Sequence, residues 1–215
     1  MSEARSLLAR APVVPVLSFS QVEDAVPIAE ALLLGGLPVL EVTLRTPAGL
    51  PAIKAIREAL PEAIVGAGTV LNVDALEASI AAGSQFIVTP GLTPALLAAG
   101  ARSAVPFIPG VATVSEAMQA RDAGLDCLKF FPAEANGGVP AVKSLAGPLS
   151  DLVFCPTGGI GLHNLADYLS LGNVITVGGS WLTPTDRVAA KDWEAIRELA
   201  AQASHQALAM KGGES

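Results

Sequence analysis

Cys127-Leu128-Lys129-Phe130-Phe131-Pro132 reads as a buried β-strand that a proline brings to a stop. At the two-residue period of a strand, Cys127, Lys129 and Phe131 share one face, and Leu128 and Phe130 share the other. A lysine is the residue least expected in the middle of such a run. An ammonium placed there loses hydration, which disfavours the charged form. A neutral amine is a nucleophile toward a ketone and forms a Schiff base with it. The stretch therefore nominates Lys129 as a covalent nucleophile. The competing reading is a lysine whose stem lies in the strand and whose head reaches water at its end.

Outward from this strand, the chain repeats one pattern. Eight β-rich runs cover residues 13–17, 39–44, 64–68, 86–89, 107–109, 127–131, 153–156 and 174–177. Their starts recur every ~20–26 residues, the spacing of βα units. Helical periodicity fills residues 21–34, 47–60, 73–82, 94–103, 114–123, 139–145, 162–171 and 192–210. Thr46, ahead of Pro47, reads as the N-cap of the second of these, and Thr113 with Glu116 as a capping box for the fifth. Residues 211–215 read as a frayed tail. Strands alternating with helices and no linker predict one domain over residues 1–215, a (β/α)8 barrel. A doubly wound open sheet gives a similar pattern. However, Gly66-Ala67-Gly68 lacks the third glycine of a dinucleotide fingerprint.

Composition narrows the function classes. Of 215 residues 51% are hydrophobic, enough for a sizeable core. A net charge of -7 argues against a nucleic-acid surface. No apolar run reaches membrane-spanning length, and Pro12 and Pro15 break the short one after Arg10, so neither a membrane span nor a signal peptide is expected. Cys127 and Cys155 are too few for a disulfide framework and read as reduced core residues, which makes cytoplasm the expected location. His163 and His205 are widely spaced, with no carboxylate at ligand spacing, so no metal site is expected.

In a barrel, chemistry gathers at the C-terminal strand ends. On the second run Val39, Glu41, Thr43 and Arg45 share one face while Leu40, Val42 and Leu44 share the other. The polar face then points inward, where charges are costly unless paired or used. Either Glu41 and Arg45 form an internal ion pair, or Glu41 is a general acid/base and Arg45 anchors an anionic group. The seventh run leads into Thr157-Gly158-Gly159 and the eighth into Gly178-Gly179-Ser180. Two glycine pairs at these two strand ends suit a phosphate held by backbone N–H groups. Thr69 and Pro90 end the third and fourth runs as a hydroxyl donor and a pocket wall. Thr157 lies on the inward face of its run, where its hydroxyl can read the substrate.

Five stretches, in order, resemble the 2-keto-3-deoxy-6-phosphogluconate (KDPG) aldolase family: Glu41-Val42-Thr43-Leu44-Arg45-Thr46, Val65-Gly66-Ala67-Gly68-Thr69-Val70, Leu128-Lys129-Phe130-Phe131-Pro132-Ala133-Glu134, Cys155-Pro156-Thr157-Gly158-Gly159-Ile160 and Gly178-Gly179-Ser180-Trp181. The resemblance covers roughly residues 15–181 and implies a (β/α)8 homotrimer of the Entner–Doudoroff route, acting on a phosphorylated keto acid without metal or other cofactor. It implies that Lys129 forms the Schiff base with the C2 ketone and that Glu41 moves protons, partly through water. Arg45 and Thr69 would hold the pyruvate carboxylate, and Pro90 and Phe131 would line the pocket. Gly158, Gly159, Gly179 and Ser180 match the phosphate end. Threonine at position 157 goes with the gluconate substrate, where galactonate relatives tend to carry valine. The alternatives are a relative acting on 4-hydroxy-2-oxoglutarate or on the galactonate epimer, and a barrel that only binds sugar phosphates.

Overall fold

A computed structural model gives the fold of residues 2–211; of the expected tail, residues 212–215 lie outside the described residues. The strands are β1 (Val13–Leu17), β2 (Val39–Thr43), β3 (Ile64–Gly68), β4 (Ile87–Val88), β5 (Phe107–Ile108), β6 (Gly110–Val111), β7 (Cys127–Phe130), β8 (Val153–Pro156) and β9 (Val177–Gly179). Every ladder between them is parallel. The order β5-β4-β3-β2-β1-β9 forms one sheet and β6-β7-β8 another. The first and last strands are therefore neighbours, and the order never reverses as it would in a doubly wound sheet.

The fifth expected run ends at Pro109, its Phe107–Ile108 part pairing with β4; beyond the proline the strand resumes as β6, which was not expected and pairs with β7. Proline has no N–H for a ladder, but its carbonyl still accepts the Lys129 N–H at 2.9 Å. The eighth run is displaced. Val174 makes only a single bridge, to Phe154, and β9 begins at Val177. Gly178 and Gly179, read from sequence as a loop, are strand residues in register with Val14 and Pro15.

Helices α1 (Glu3–Leu8), α2 (Ala25–Leu34), α3 (Gly49–Ala59), α4 (Val73–Ala81), α5 (Pro94–Gly100), α6 (Val114–Asp122), α7 (Gly138–Leu145), α8 (Leu165–Leu169), α9 (Thr185–Ala189) and α10 (Trp193–Lys211) alternate with the strands. The Thr113–Glu116 capping box is present. Thr46 does not cap α3, whose N-cap is Ala48; its hydroxyl is taken instead by the carbonyl of Phe19. A 3-10 turn, Val22–Asp24, precedes α2, which then carries Pro27 within its first turn, where a missing N–H costs nothing.

Strand alternation separates two cores. Leu40, Val42, Leu128 and Phe130 pack outward with the helices in the larger cluster. Val14, Val39, Ile64, Phe86, Cys127 and Cys155 form the smaller inner cluster. Gly66 makes room for Phe86: a Cβ there would lie 2.5 Å from its ring. Helix α1, too short to show a period in the sequence, brings Leu8 into the inner cluster. Arg5 holds this helix in place through an ion pair with Asp126 at 2.9 Å and hydrogen bonds to the Asp126 and Asp151 carbonyls.

Candidate active site

Lys129 is inward-facing and 5% exposed, so it does not reach water from a strand end. Its Nζ donates to Oε1 of Glu41 at 3.0 Å and to Oε2 at 3.4 Å. Glu41 is 3% exposed and stands on β2, in the other sheet. The two side chains meet across the concave side that the curled sheets share. An internal Glu41–Arg45 pair is therefore not what forms: Glu41 is occupied by Lys129, and Arg45 has no ion-pair partner among the described residues. The pair is self-neutralising, which is what permits two ionisable groups in this interior.

The surroundings are shaped to this pair. A Cβ on Gly68 would lie 2.2 Å from Glu41 Oε1, so glycine at the end of β3 is the space the carboxylate occupies. The Phe131 ring centroid lies 5.3 Å from Lys129 Nζ, within cation–π range. Thr43, on the same face as Glu41, spends its hydroxyl on the Leu17 carbonyl at 2.9 Å, tying β2 to β1. Cys155 sits opposite Lys129 in the β7–β8 register. Burial pushes its thiol up to about 12, against the opposing pull of Lys129, and pushes the Cys127 thiol further still. Both cysteines are free, buried and unreactive as nucleophiles.

Beside the pair, a cavity of about 80 Å³ is lined by Arg45, Phe131, Thr157, Gly158, Gly159, Gly179 and Ser180, together with Val16, Ile160 and Gly178. Seven of the residues singled out from sequence thus share one cavity. Gly158 and Gly159 have φ of 104° and 77°, values that side-chain-bearing residues adopt only under strain. A Cβ on Gly178 would meet Thr157 Oγ1 at 2.3 Å, and one on Gly179 would enter the Trp181 ring. These glycines let backbone approach the cavity where a side chain would collide with Thr157 or Trp181. Thr69 and Pro90 follow β3 and β4 at the same end of the strands but outside this cavity's lining. Thr69 has φ of 59°, a left-handed conformation rare for a β-branched residue and worth about 1–3 kcal/mol of stored strain.

Three residues behind the glycine loop were not visible in the sequence. Asn164 donates to the Gly159 carbonyl at 3.2 Å and accepts from the Gly161 N–H at 2.9 Å. These bonds hold residues 161–164 in a turn and delay α8 to Leu165. Tyr168, fully buried, donates to the carboxylate of Glu134. Glu134 lay inside a quoted motif, but nothing in its spacing pointed to a tyrosine thirty-four positions away.

An amine and a carboxylate in hydrogen-bond contact, buried next to a cavity rich in backbone donors, suit proton transfer and covalent capture of a carbonyl compound with an anionic tail. Comparison with known proteins agrees with this chemistry. The sequence profile described as KDPG and KHG aldolase matches residues 4–199. The chain belongs to that family. Among curated members of the KDPG and KHG aldolase family, the KHG/KDPG aldolase of Escherichia coli (strain K12) is 53% identical over 202 residues, covering 94% of this chain and 95% of the relative. Among solved structures, KDPG aldolase from Legionella pneumophila, with pyruvate captured as a covalent carbinolamine intermediate, superposes with a TM-score of 0.92 at 44% identity, covering 94% of this chain and 98% of that one. The KDPG aldolase of Zymomonas mobilis ZM4, solved with 3-phosphoglycerate, gives 0.88 at 47% identity, covering 94% and 95%.

Proposed function

We propose that the chain is a Schiff-base aldolase that cleaves 2-keto-3-deoxy-6-phosphogluconate to pyruvate and D-glyceraldehyde 3-phosphate, a step of the Entner–Doudoroff route. The observation that carries this reading is the buried contact between Lys129 Nζ and Glu41 at 3.0 Å. A proton moved across that contact turns the ion pair into a neutral amine and a neutral acid, with no change in net buried charge. The amine then adds to the C2 ketone to give a carbinolamine. Glu41 returns its proton to the carbinolamine hydroxyl, which leaves as water, so that Lys129 carries an iminium and Glu41 is again a carboxylate. Glu41, acting through water, takes the C4 hydroxyl proton, and the C3–C4 bond breaks with its electrons flowing into the iminium. The aldehyde leaves, the enamine is reprotonated at C3, and water releases pyruvate from the lysine. Each step is proton transfer and covalent catalysis by side chains, so no metal or other cofactor is called for.

Arg45 and Thr69 hold the keto-acid carboxylate, and Pro90 and Phe131 wall the pocket. Thr157 reads the C4 configuration. Backbone N–H groups of Gly158, Gly159 and Gly179, with Ser180, receive the phosphate. This end of the site favours the six-carbon phosphate over 4-hydroxy-2-oxoglutarate, which would leave it without an anion of that kind. The strands close into a (β/α)8 barrel forming one domain. The bridge between Thr157 and Gly178 joins the β8 edge to the β9 edge, as closure requires. The working unit is a homotrimer in the cytoplasm, with neither nucleic acid nor membrane as partner. Exposed Leu71, Val114 and Met118 supply apolar surface for such contacts.

The test is cleavage of the phosphorylated gluconate substrate by chelator-treated protein, followed as pyruvate release. The expected result is activity equal to that of untreated protein. Absence of release overturns the function, and loss that added zinc or magnesium restores overturns the mechanism. Sedimentation equilibrium checks assembly, where a monomer mass at working concentration contradicts the trimer.

A further inference from the structure

The glycine loop after β8 leans on a residue that the mechanism above does not use. Glu134 follows β7 by four positions, just beyond Phe131 and Pro132. Its N–H donates to the Gly158 carbonyl at 3.1 Å, while the Ala133 N–H donates to that of Thr157 at 2.8 Å. Its side-chain stem lies against Gly159, where a Cβ would be 2.6 Å from Glu134 Cγ. Its carboxylate then receives the hydroxyl of Tyr168, a fully buried residue of α8. Asn164, just ahead of α8, grips the Gly159 carbonyl from the other side. Gly159 is thereby clamped between the segment that carries Lys129 and the helix that follows the loop.

We propose that the Tyr168–Glu134 hydrogen bond is a positioning device for the anion end of the site. It fixes the Gly158–Gly159 backbone relative to Lys129, and so sets the distance between the phosphate subsite and the Schiff-base carbon. This inference rests on the functional reading above. Glu134 and Tyr168 touch neither reacting atom. The backbone bonds of Glu134 alone would tether the loop, but only the carboxylate–phenol contact holds its stem across Gly159. Burial and the neighbouring carboxylate both push the Tyr168 phenol above its ordinary value, so it remains a protonated donor through the working pH range.

The position of the phosphate subsite matters to a phosphorylated substrate and not to pyruvate, which lacks that group. Tyr168→Phe keeps the buried ring and removes only the donor. It should raise KM for the phosphorylated substrate roughly 10-fold, the scale of one charge-assisted hydrogen bond. Exchange of pyruvate C3 protons should keep its wild-type rate. Glu134→Ala should match Tyr168→Phe, and the double variant should be no worse than either, because one bond is lost in all three. Glu134→Gln keeps a neutral acceptor for the phenol and should give a KM between those of wild type and Tyr168→Phe. A parallel fall in cleavage and pyruvate exchange overturns the proposal, since a general loss of structure moves both. Unchanged KM in Tyr168→Phe and Glu134→Ala also overturns it. Wild-type protein that exchanges pyruvate protons but never cleaves the phosphorylated substrate defeats the functional reading instead, so the two failures are distinct.

Discussion

At one end of the site, Lys129 and Glu41 meet through side chains carried on two strands of different sheets, in contact at 3.0 Å and almost completely buried. At the other end, Gly158, Gly159 and Gly179 contribute backbone to a cavity that Ser180 completes with its side chain. In the proposed function the first end carries the chemistry, which depends on which atoms are present. The second would carry recognition, which depends largely on which atoms are absent, because a Cβ at Gly178 or Gly179 would collide with Thr157 or Trp181. Substitution should therefore act on rate at the first end and on affinity or selectivity at the second.

The sharpest contrast is expected from Lys129→Arg. Arginine stays protonated and is no nucleophile, so cleavage should fall roughly 10⁴-fold or more. Affinity for D-glyceraldehyde 3-phosphate, measured by calorimetry, should stay close to wild type. Loss of both properties would show that the two ends are not separable.

Glu41→Gln is expected to be next in size. The carboxamide fills the same space beside Gly68 but is a poor proton carrier. Pyruvate C3 exchange should slow by ~10²-fold, while the borohydride-trapped adduct on Lys129 largely persists. A collapse in melting temperature, with exchange per folded molecule unchanged, would make Glu41 a structural counter-ion for the buried lysine.

Thr157→Val probes the second end and should have the smallest effect. The gluconate and galactonate substrates differ at C4, and a hydroxyl left unpaired by one of them costs about 1–3 kcal/mol, or roughly 5- to 150-fold in selectivity. Wild type should prefer the gluconate epimer in kcat/KM, and the valine variant should narrow or reverse that preference. Equal ratios in the two proteins would show that Thr157 does not read C4.

The same contrast explains what was legible in the sequence. Strands announced themselves because inner and outer faces alternate, as at Cys127, Lys129 and Phe131 against Leu128 and Phe130. Lys129 and Glu41 stood out because a charge in an apolar strand is costly and so invites a reason. The partner of Glu41 was not legible: strand period gives the face a residue points to, not which distant strand faces it. Arg45, on the same face of the same run, was the plausible local choice, and long-range geometry overrode it. Gly178 and Gly179 read from composition as a loop beyond the eighth run, although the ladder to β1 holds them as strand. Helix α1 and the Tyr168–Glu134 contact left no trace, the first for shortness and the second because a hydrogen bond across thirty-four positions has no local pattern.

The central claim is that the buried amine is the covalent nucleophile, and trapping tests it most directly. Incubation with pyruvate and borohydride, followed by peptide mass mapping, should place one pyruvate-derived mass on the peptide containing Lys129, and no such mass should form in Lys129→Arg. A label on Lys54, Lys143 or Lys191 instead, or no label on protein that still cleaves substrate, would contradict the account.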